Sequence, residues 1–532
     1  MGARASRLFS FLVVAAWLAQ MGLLVRRAYL EASPAALAAD LERYGSAAQW
    51  KGVYYRGTKI GFTVSQTSVE PGGYALQEDG RLQMNLLGAT TAVRIHTQVH
   101  VDKSFSLKTF SFSLDPGTGA TEVQGILEGK RLELTVKTPT GSRTESRELT
   151  EPPALAMNLP RLLAAQGLSP GQRLAVSVFD PATMRNAAMT LEVRKREVVQ
   201  AGGRPVPAFR VESRFAGITS TSWITDTGEV VREESPMGLI VVRERPDRAT
   251  ALAVPGSIQT DMLETAAIAP TPSRRIDDPL AVERLRVRLE GAEAFAGPDL
   301  EGAGQTVSGD ALEVVDSRTL AAGPLDPEAG RYLKPEPLIE SDAPEIRAES
   351  ERATSGVIGA RARAERLVRH VHALLEKRPT ISLPSALEVL RTRVGDCNEH
   401  TALYVALARA RGLPARIAVG LVYLYGAFYY HAWPEVYIQQ SPTRGLWLPV
   451  DPTLNQFPAD ATHIRLTRGG LDRQAAIVGL VGRARLSILE LRERSGSTPL
   501  LVGRTPTDTR ALDIPIPHRD GSGRGCWSSP AL

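Results

Sequence analysis

Three short stretches carry residue types able to do covalent chemistry. Val394-Gly-Asp-Cys-Asn-Glu-His400 holds a cysteine, Tyr430-His-Ala-Trp-Pro-Glu-Val-Tyr437 a histidine, and Pro449-Val-Asp-Pro-Thr453 an aspartate. A thiol attacks acyl carbons well only as thiolate, and a neighbouring imidazole makes it one. A carboxylate behind the imidazole orients it and stabilises its charged form. Cys397, His431 and Asp451 therefore read, in that order, as nucleophile, base and orienting group. Taken singly, each has a plainer meaning: a small core residue, a satisfied strand histidine and an Asp-Pro turn. Their ordered combination at a helix start and two strand positions reverses that reading.

The elements around them must do the positioning. Gly395 allows a tight approach to the thiol. Thr401, Leu403, Ala406, Leu407 and Ala410 have helical spacing, and Gly412 with Pro414 ends the run, so residues 398–411 read as a helix. Cys397 falls at its start, where unpaired amides and the dipole are expected to lower a thiol pKa. Strands are predicted over 416–423, 428–438 and 446–450, with a turn at Ser441-Pro-Thr-Arg-Gly445. His431 and Asp451 would then lie on neighbouring antiparallel strands packed on the cysteine helix.

Residues from about 361 to 465 resemble the transglutaminase-like superfamily. The matching blocks are Gly395-Asp-Cys397, Gly412-Leu-Pro-Ala-Arg416, His431-Ala-Trp433 with Glu435-Val436, and Val450-Asp-Pro-Thr453. The resemblance covers about a fifth of the chain. It implies a Cys-His-Asp triad on Cys397, His431 and Asp451, and acyl transfer through a thioester to an amine, to water, or as peptide cleavage. Trp433 would share the strand face of His431 and either wall an acyl channel or pack in the core. No acidic calcium loop is present in the sequence, so no metal and no other cofactor is carried over. The Cys397 amide is one expected oxyanion donor; the second is unassigned.

The rest of the 532 residues suggests two or three domains. Hydrophobic residues make up 43% and charged residues 23%, an ordinary globular balance. The net charge of +5 is small for this length, and no basic run interleaves with aromatics, so no nucleic-acid partner is expected. Residues 8–25 are nearly all apolar, flanked by Arg4, Arg7, Arg26 and Arg27. A run of about 18 is just long enough to span a bilayer. It reads as an uncleaved anchor to the cytoplasmic or inner membrane, with the bulk of the chain extracytoplasmic (periplasmic). A signal peptide cut near Ala36-Leu-Ala38 is the rival. The only cysteines are Cys397 and Cys526, so there is no disulfide framework, although a bond between them would silence the nucleophile.

From about residue 45 to 250 the pattern is strand after strand, separated by turns such as Pro71-Gly-Gly73 and Asp115-Pro-Gly117, with one helical patch at 155–166. His96 and His100 share a strand face but stand about 13 Å apart at strand rise, too far for one metal. His370 and His372 face different ways on a predicted helix, so no metal site is assigned. Residues 251–345 have linker character with a small β-unit at 285–289 and 312–315. Residues 346–492 would be the transglutaminase-like domain and 493–532 a disordered Ser/Gly/Pro-rich tail.

The expectation is thus an α+β chain: an N-terminal membrane helix (1–30), an antiparallel β-rich domain, and a papain/transglutaminase-like α+β domain. The expected activity is thiol-dependent acyl transfer or hydrolysis on a protein or peptide substrate. The alternative is a non-catalytic transglutaminase-like binding or scaffold module.

Overall fold

The computed structural model describes residues 48–86, 89–117, 119–215, 218–235, 238–252, 267–272, 275–291, 298–379, 382–469 and 484–494. Strands between Gln49 and Arg243 form one 14-stranded antiparallel sheet. Eight strands meander outward to the edge at Gly141–Glu148. The short helix Leu159–Ala165 then carries the chain to the other edge, at Arg173–Asp180. Six strands return from there, and Leu239–Arg243 closes the path by pairing with Gln49–Tyr55. Period-two alternation accounts for these strands: one face of each buries residues such as Val99, Val101, Phe110, Val123 and Leu134. Leu338 and Leu383, from outside the sheet, share that core, and Arg143 pairs with Asp342 at 2.8 Å.

A second sheet of five strands carries the candidate chemistry. Its order is Gly323–Pro324, Arg444–Pro449, Ala427–Gln439, Ala415–Leu424 and Ile464–Arg468. The helices Pro344–Ala353, Ala360–Leu374, Ala386–Thr392 and Cys397–Ala410 pack with it around Leu367, Val371, Leu403, Leu407, Val436 and Leu448. The apolar stripe Ala364, Leu367, Val368 and Val371 is fully buried, as its helical spacing requires. A third sheet places Val282–Glu290 between Ala311–Val315 and Arg485–Glu493. Its Leu285, Val287, Val314 and Leu486 pack against Val419, Leu421, Phe428 and Ile464 of the second sheet. The segment read as a linker therefore supplies part of the core behind the site.

Two expectations are corrected. The structure is mostly β, with 52% of the described residues in strands and 18% helical, rather than α+β. The reason is length: the strands reach 17 residues at Arg185–Ala201, while the helices around the cysteine have 7 to 15. The expected membrane helix is also not supported. Among the described residues no helix is long and apolar enough to cross a membrane, and the apolar run 8–25 lies outside them. The single-pass, extracytoplasmic placement built on it is withdrawn.

Candidate active site

Cys397 opens the helix Cys397–Ala410, and the sequence before it is built to start a helix there. The Asp396 carboxylate accepts from the Asn398 amide at 2.9 Å, and Glu399 accepts from the Asp396 amide at 2.9 Å, completing a capping box. A Cβ on Gly395 would stand 2.2 Å from the Glu399 Cβ, so only glycine lets this box close. His400 backs the same turn: its Nδ1–H donates to the Asp396 carbonyl at 2.7 Å. Thr401 donates to the Ala432 carbonyl at 3.1 Å, tying the helix to the strand that carries His431.

His431, Trp433 and Glu435 alternate along Ala427–Gln439 and share one face of it. His431 pairs in register with Gly420, which pairs on its other side with Arg465. A Cβ on Gly420 would stand 2.0 Å from the Ile464 carbonyl oxygen, so glycine is required for the close approach of Ile464–Arg468. Asp451 follows the strand Arg444–Pro449, its chain held by the Val450 amide on the Pro434 carbonyl at 2.9 Å.

The structure brings His431 and Asp451 together. The buried His431 Nε2 donates to Asp451 Oδ2 at 2.7 Å, which leaves Nδ1 with the lone pair. Asp451 Oδ1 accepts from the amides of Thr453 at 2.7 Å and Leu454 at 3.0 Å. Burial alone would raise the Asp451 pKa, but His431 and His463 hold it well below the usual carboxylate range. The thiol departs from expectation. Cys397 is half-buried and packs against the apolar cluster behind the second sheet. Burial, then the charge of Asp396, push its pKa well up, with Glu399 and Asp451 adding to the rise and a hydrogen bond from the Ala432 backbone opposing it. The helix start does not make Cys397 a thiolate by itself, because burial first, and then the carboxylates around it, favour the neutral thiol.

Trp433 is 1% exposed and stacks on His431 with ring centroids 6.0 Å apart, so it supports the imidazole from within the core. Sequence reasoning missed His463. Its Nε2 lies 3.1 Å from Asp451 Oδ2 and its Nδ1 3.2 Å from Asp460 Oδ1. The signal was the i, i+3 pair Asp460–His463 shortly after Asp451. Three arginines were missed as well: Arg416, Arg465 and Arg468 surround the fully buried Glu435. Among the described residues, His431, Asp451 and His463 form the group spaced to hold a metal, with one ligand atom from each within 4.8 Å. Both imidazoles instead approach one carboxylate oxygen at hydrogen-bond distance, closer than the about 3.3 Å that two ligands of one tetrahedral zinc keep. All three side chains are buried, so the arrangement is that of a hydrogen-bonded network.

The stretch that holds Cys397, His431 and Asp451 has relatives among known proteins. Residues 348–452 match the family model of the transglutaminase-like superfamily. Uncharacterized proteins of Mycobacterium bovis and Mycobacterium tuberculosis are 35% identical over 91 residues, 15% of this chain and 29% of theirs. The chain thus spans less than a third of the length of these curated relatives. Among solved structures, a candidate cysteine protease from Cytophaga hutchinsonii is 16% identical and has a TM-score of 0.27, over 40% of this chain and 87% of that one. A β-barrel-like protein from Brucella abortus is 12% identical with a TM-score of 0.30, over 37% of this chain and 95% of that one. Cys397, His431 and Asp451 all fall inside the matched stretch, whereas His463, Arg465 and Arg468 lie beyond it. Residues 348–452 are a transglutaminase-like core domain.

Proposed function

We propose that this core carries out thiol-dependent acyl transfer or hydrolysis on protein or peptide amides through a Cys397 thioester. The observation that supports it most is the 2.7 Å hydrogen bond from His431 to the buried Asp451, beside the capped helix start where Cys397 stands. Because its surroundings raise the thiol pKa, Cys397 needs a base to become a nucleophile. His431 Nδ1 takes the thiol proton as Sγ attacks the carbonyl carbon, and Asp451 stabilises the imidazolium that forms. The oxyanion faces the Cys397 backbone amide at the helix start. His431 then delivers the proton to the departing amine nitrogen, the C–N bond breaks, and a thioester remains. Water or an amine, deprotonated by the same imidazole, attacks the thioester; its C–S bond breaks and the thiol regains its proton.

The test uses the full chain with Cys526→Ser, so that iodoacetamide reports on Cys397 alone. His431→Ala is expected to slow alkylation near pH 7.5 by roughly 10²-fold. Cys397→Ser should abolish labelling of acceptor proteins by a fluorescent amine and release of amine from amide donors. Equal alkylation rates with and without His431 would leave the binding or scaffold reading in its place.

A further inference from the structure

Asp451 has two imidazole partners, and the reaction above uses one. The second, His463, lies outside the matched core, is 4% exposed, and stands between two buried carboxylates. We propose that His463 is a positioning residue: it donates to the same Asp451 oxygen as His431 and sets the proton affinity of the Cys397–His431 pair. The proposal rests on the reading of those two side chains as a working pair.

The hydrogen-bond inventory carries the argument. Nε2 of His463 faces Asp451 Oδ2 at 3.1 Å, and Nδ1 faces Asp460 Oδ1 at 3.2 Å. A neutral imidazole has one N–H and would turn a lone pair toward one of these carboxylates. Only the imidazolium donates to both. Burial would lower the pKa of His463, but Asp460 and Asp451 raise it to about 10, in agreement with that inventory. Asp460 is committed to this arrangement. Its Oδ1 also accepts from the Thr462 amide at 2.8 Å and the Thr462 hydroxyl at 2.6 Å, and its Oδ2 from Gln456 at 2.8 Å. Trp433 locks the two imidazoles relative to each other, stacking on His431 and meeting His463 edge-on at 5.1 Å. The ring centroids of His431 and His463 are 5.8 Å apart.

Two effects follow. The hydrogen bond fixes Asp451 Oδ2 so that it receives His431 in one orientation. The positive charge beside His431 opposes protonation of that ring and favours a thiolate on Cys397. Other charged or titratable groups also act on the pair. Asp396 and Glu399 come from the helix start, and His372, Lys377 and His400 lie within electrostatic reach of Asp451. None of these bridges Asp451 to a second carboxylate.

The test is the pH profile of Cys397 alkylation in the full Cys526→Ser chain. His463→Gln alone leaves Asp460 buried beside a neutral group and can fail to fold. The double variant His463→Gln with Asp460→Asn removes the opposite charges together and keeps an amide donor toward Asp451. Asp460 lies across His463 from Asp451, so loss of the nearer positive charge outweighs loss of the negative one: the thiolate is destabilised, a protonated His431 is stabilised, and both raise the pH at which the neutral imidazole can take the thiol proton. The midpoint is expected to rise by about one pH unit, a roughly tenfold slower reaction on the acid side of the profile. A folded double variant with lower amplitude but an unmoved midpoint would give His463 a structural role and overturn the proposal. The parent chain with and without His431→Ala separates the two readings: no dependence on His431 there fails the working pair itself, whereas dependence on His431 with no response to the double variant fails only the role of His463.

Discussion

Two fully buried carboxylates lie at one sheet, and their partners differ in one respect. Glu435 is held by Arg465 at 2.5 Å, Arg416 at 2.7 Å and Arg468 at 3.0 Å. Asp451 is held by His431 and His463. Burial would raise both pKa values, and in both the partners more than reverse it. Guanidinium does not give up its proton in a protein, so the Glu435 cluster has one charge state and acts as a fixed joint between three strands. Imidazole exchanges its proton, so the Asp451 cluster can pass one along. Trp433 stands between His431 and Glu435 on the same strand face, keeping the static site apart from the titratable one. Equal burial thus supports two roles, and the acidity of the partners decides which.

The largest expected effect tests the titratable site. Asp451→Asn should lower turnover by roughly 10³–10⁴-fold, because the amide no longer stabilises the imidazolium. Thermal melting of this variant, read beside its activity, separates lost chemistry from lost fold. Glu435→Gln should do the reverse. It leaves three arginines without their shared carboxylate and is expected to cost about 3–5 kcal/mol of stability by denaturant titration. The midpoint of Cys397 alkylation should stay where it is; movement of that midpoint would mean that the two clusters are electrically coupled.

A smaller effect follows from pH. The folded-state pKa of His463 is raised to about 10, above its ordinary value near ~6.5. Its stabilisation is therefore complete below about pH 6.5 and is lost as pH rises through 10. Carboxylates with lowered values, Asp451 and Glu435, contribute the opposite limb, lost as pH falls below the usual carboxylate range. Melting temperatures between pH 7 and 10 should fall more steeply for the parent chain than for His463→Gln with Asp460→Asn. Parallel slopes would show that His463 does not carry the alkaline limb. The smallest effect concerns the helix start. Asp396→Ala removes the cap and is expected to cost about 1 kcal/mol by denaturant titration. It also takes away a charge that raises the Cys397 pKa, so the alkylation midpoint should drop rather than rise.

The helix Cys397–Ala410 and the strands Ala415–Leu424, Ala427–Gln439 and Arg444–Pro449 were legible within one or two residues. Their signals are local: a cap, an apolar period, a Gly-Leu-Pro turn. The pairing of His431 with Asp451 was legible too, since antiparallel neighbours in sequence become neighbours in space. The acidity of the thiol departs from the expectation of a helix start because burial, and then the carboxylates that cap and surround it, act against the thiolate. The overall class departs from α+β because strands of up to 17 residues outweigh helices of 7 to 15 around the cysteine.

The sequence by itself determined where the elements begin and end, which side chains alternate onto one face, and that a cysteine, a histidine and an aspartate follow each other at element ends. Those follow from backbone period, capping and turn chemistry, which act over a few residues. Only the tertiary structure decided that His463 shares Asp451 with His431 and that Arg465 and Arg468 close on Glu435. It also decided that Val282–Glu290, Gln305–Ser308, Ala311–Val315 and Arg485–Glu493 join in one sheet behind the site. Those contacts join residues up to about two hundred positions apart. Electrostatic interaction and burial depend on distance in space, which a linear pattern does not contain.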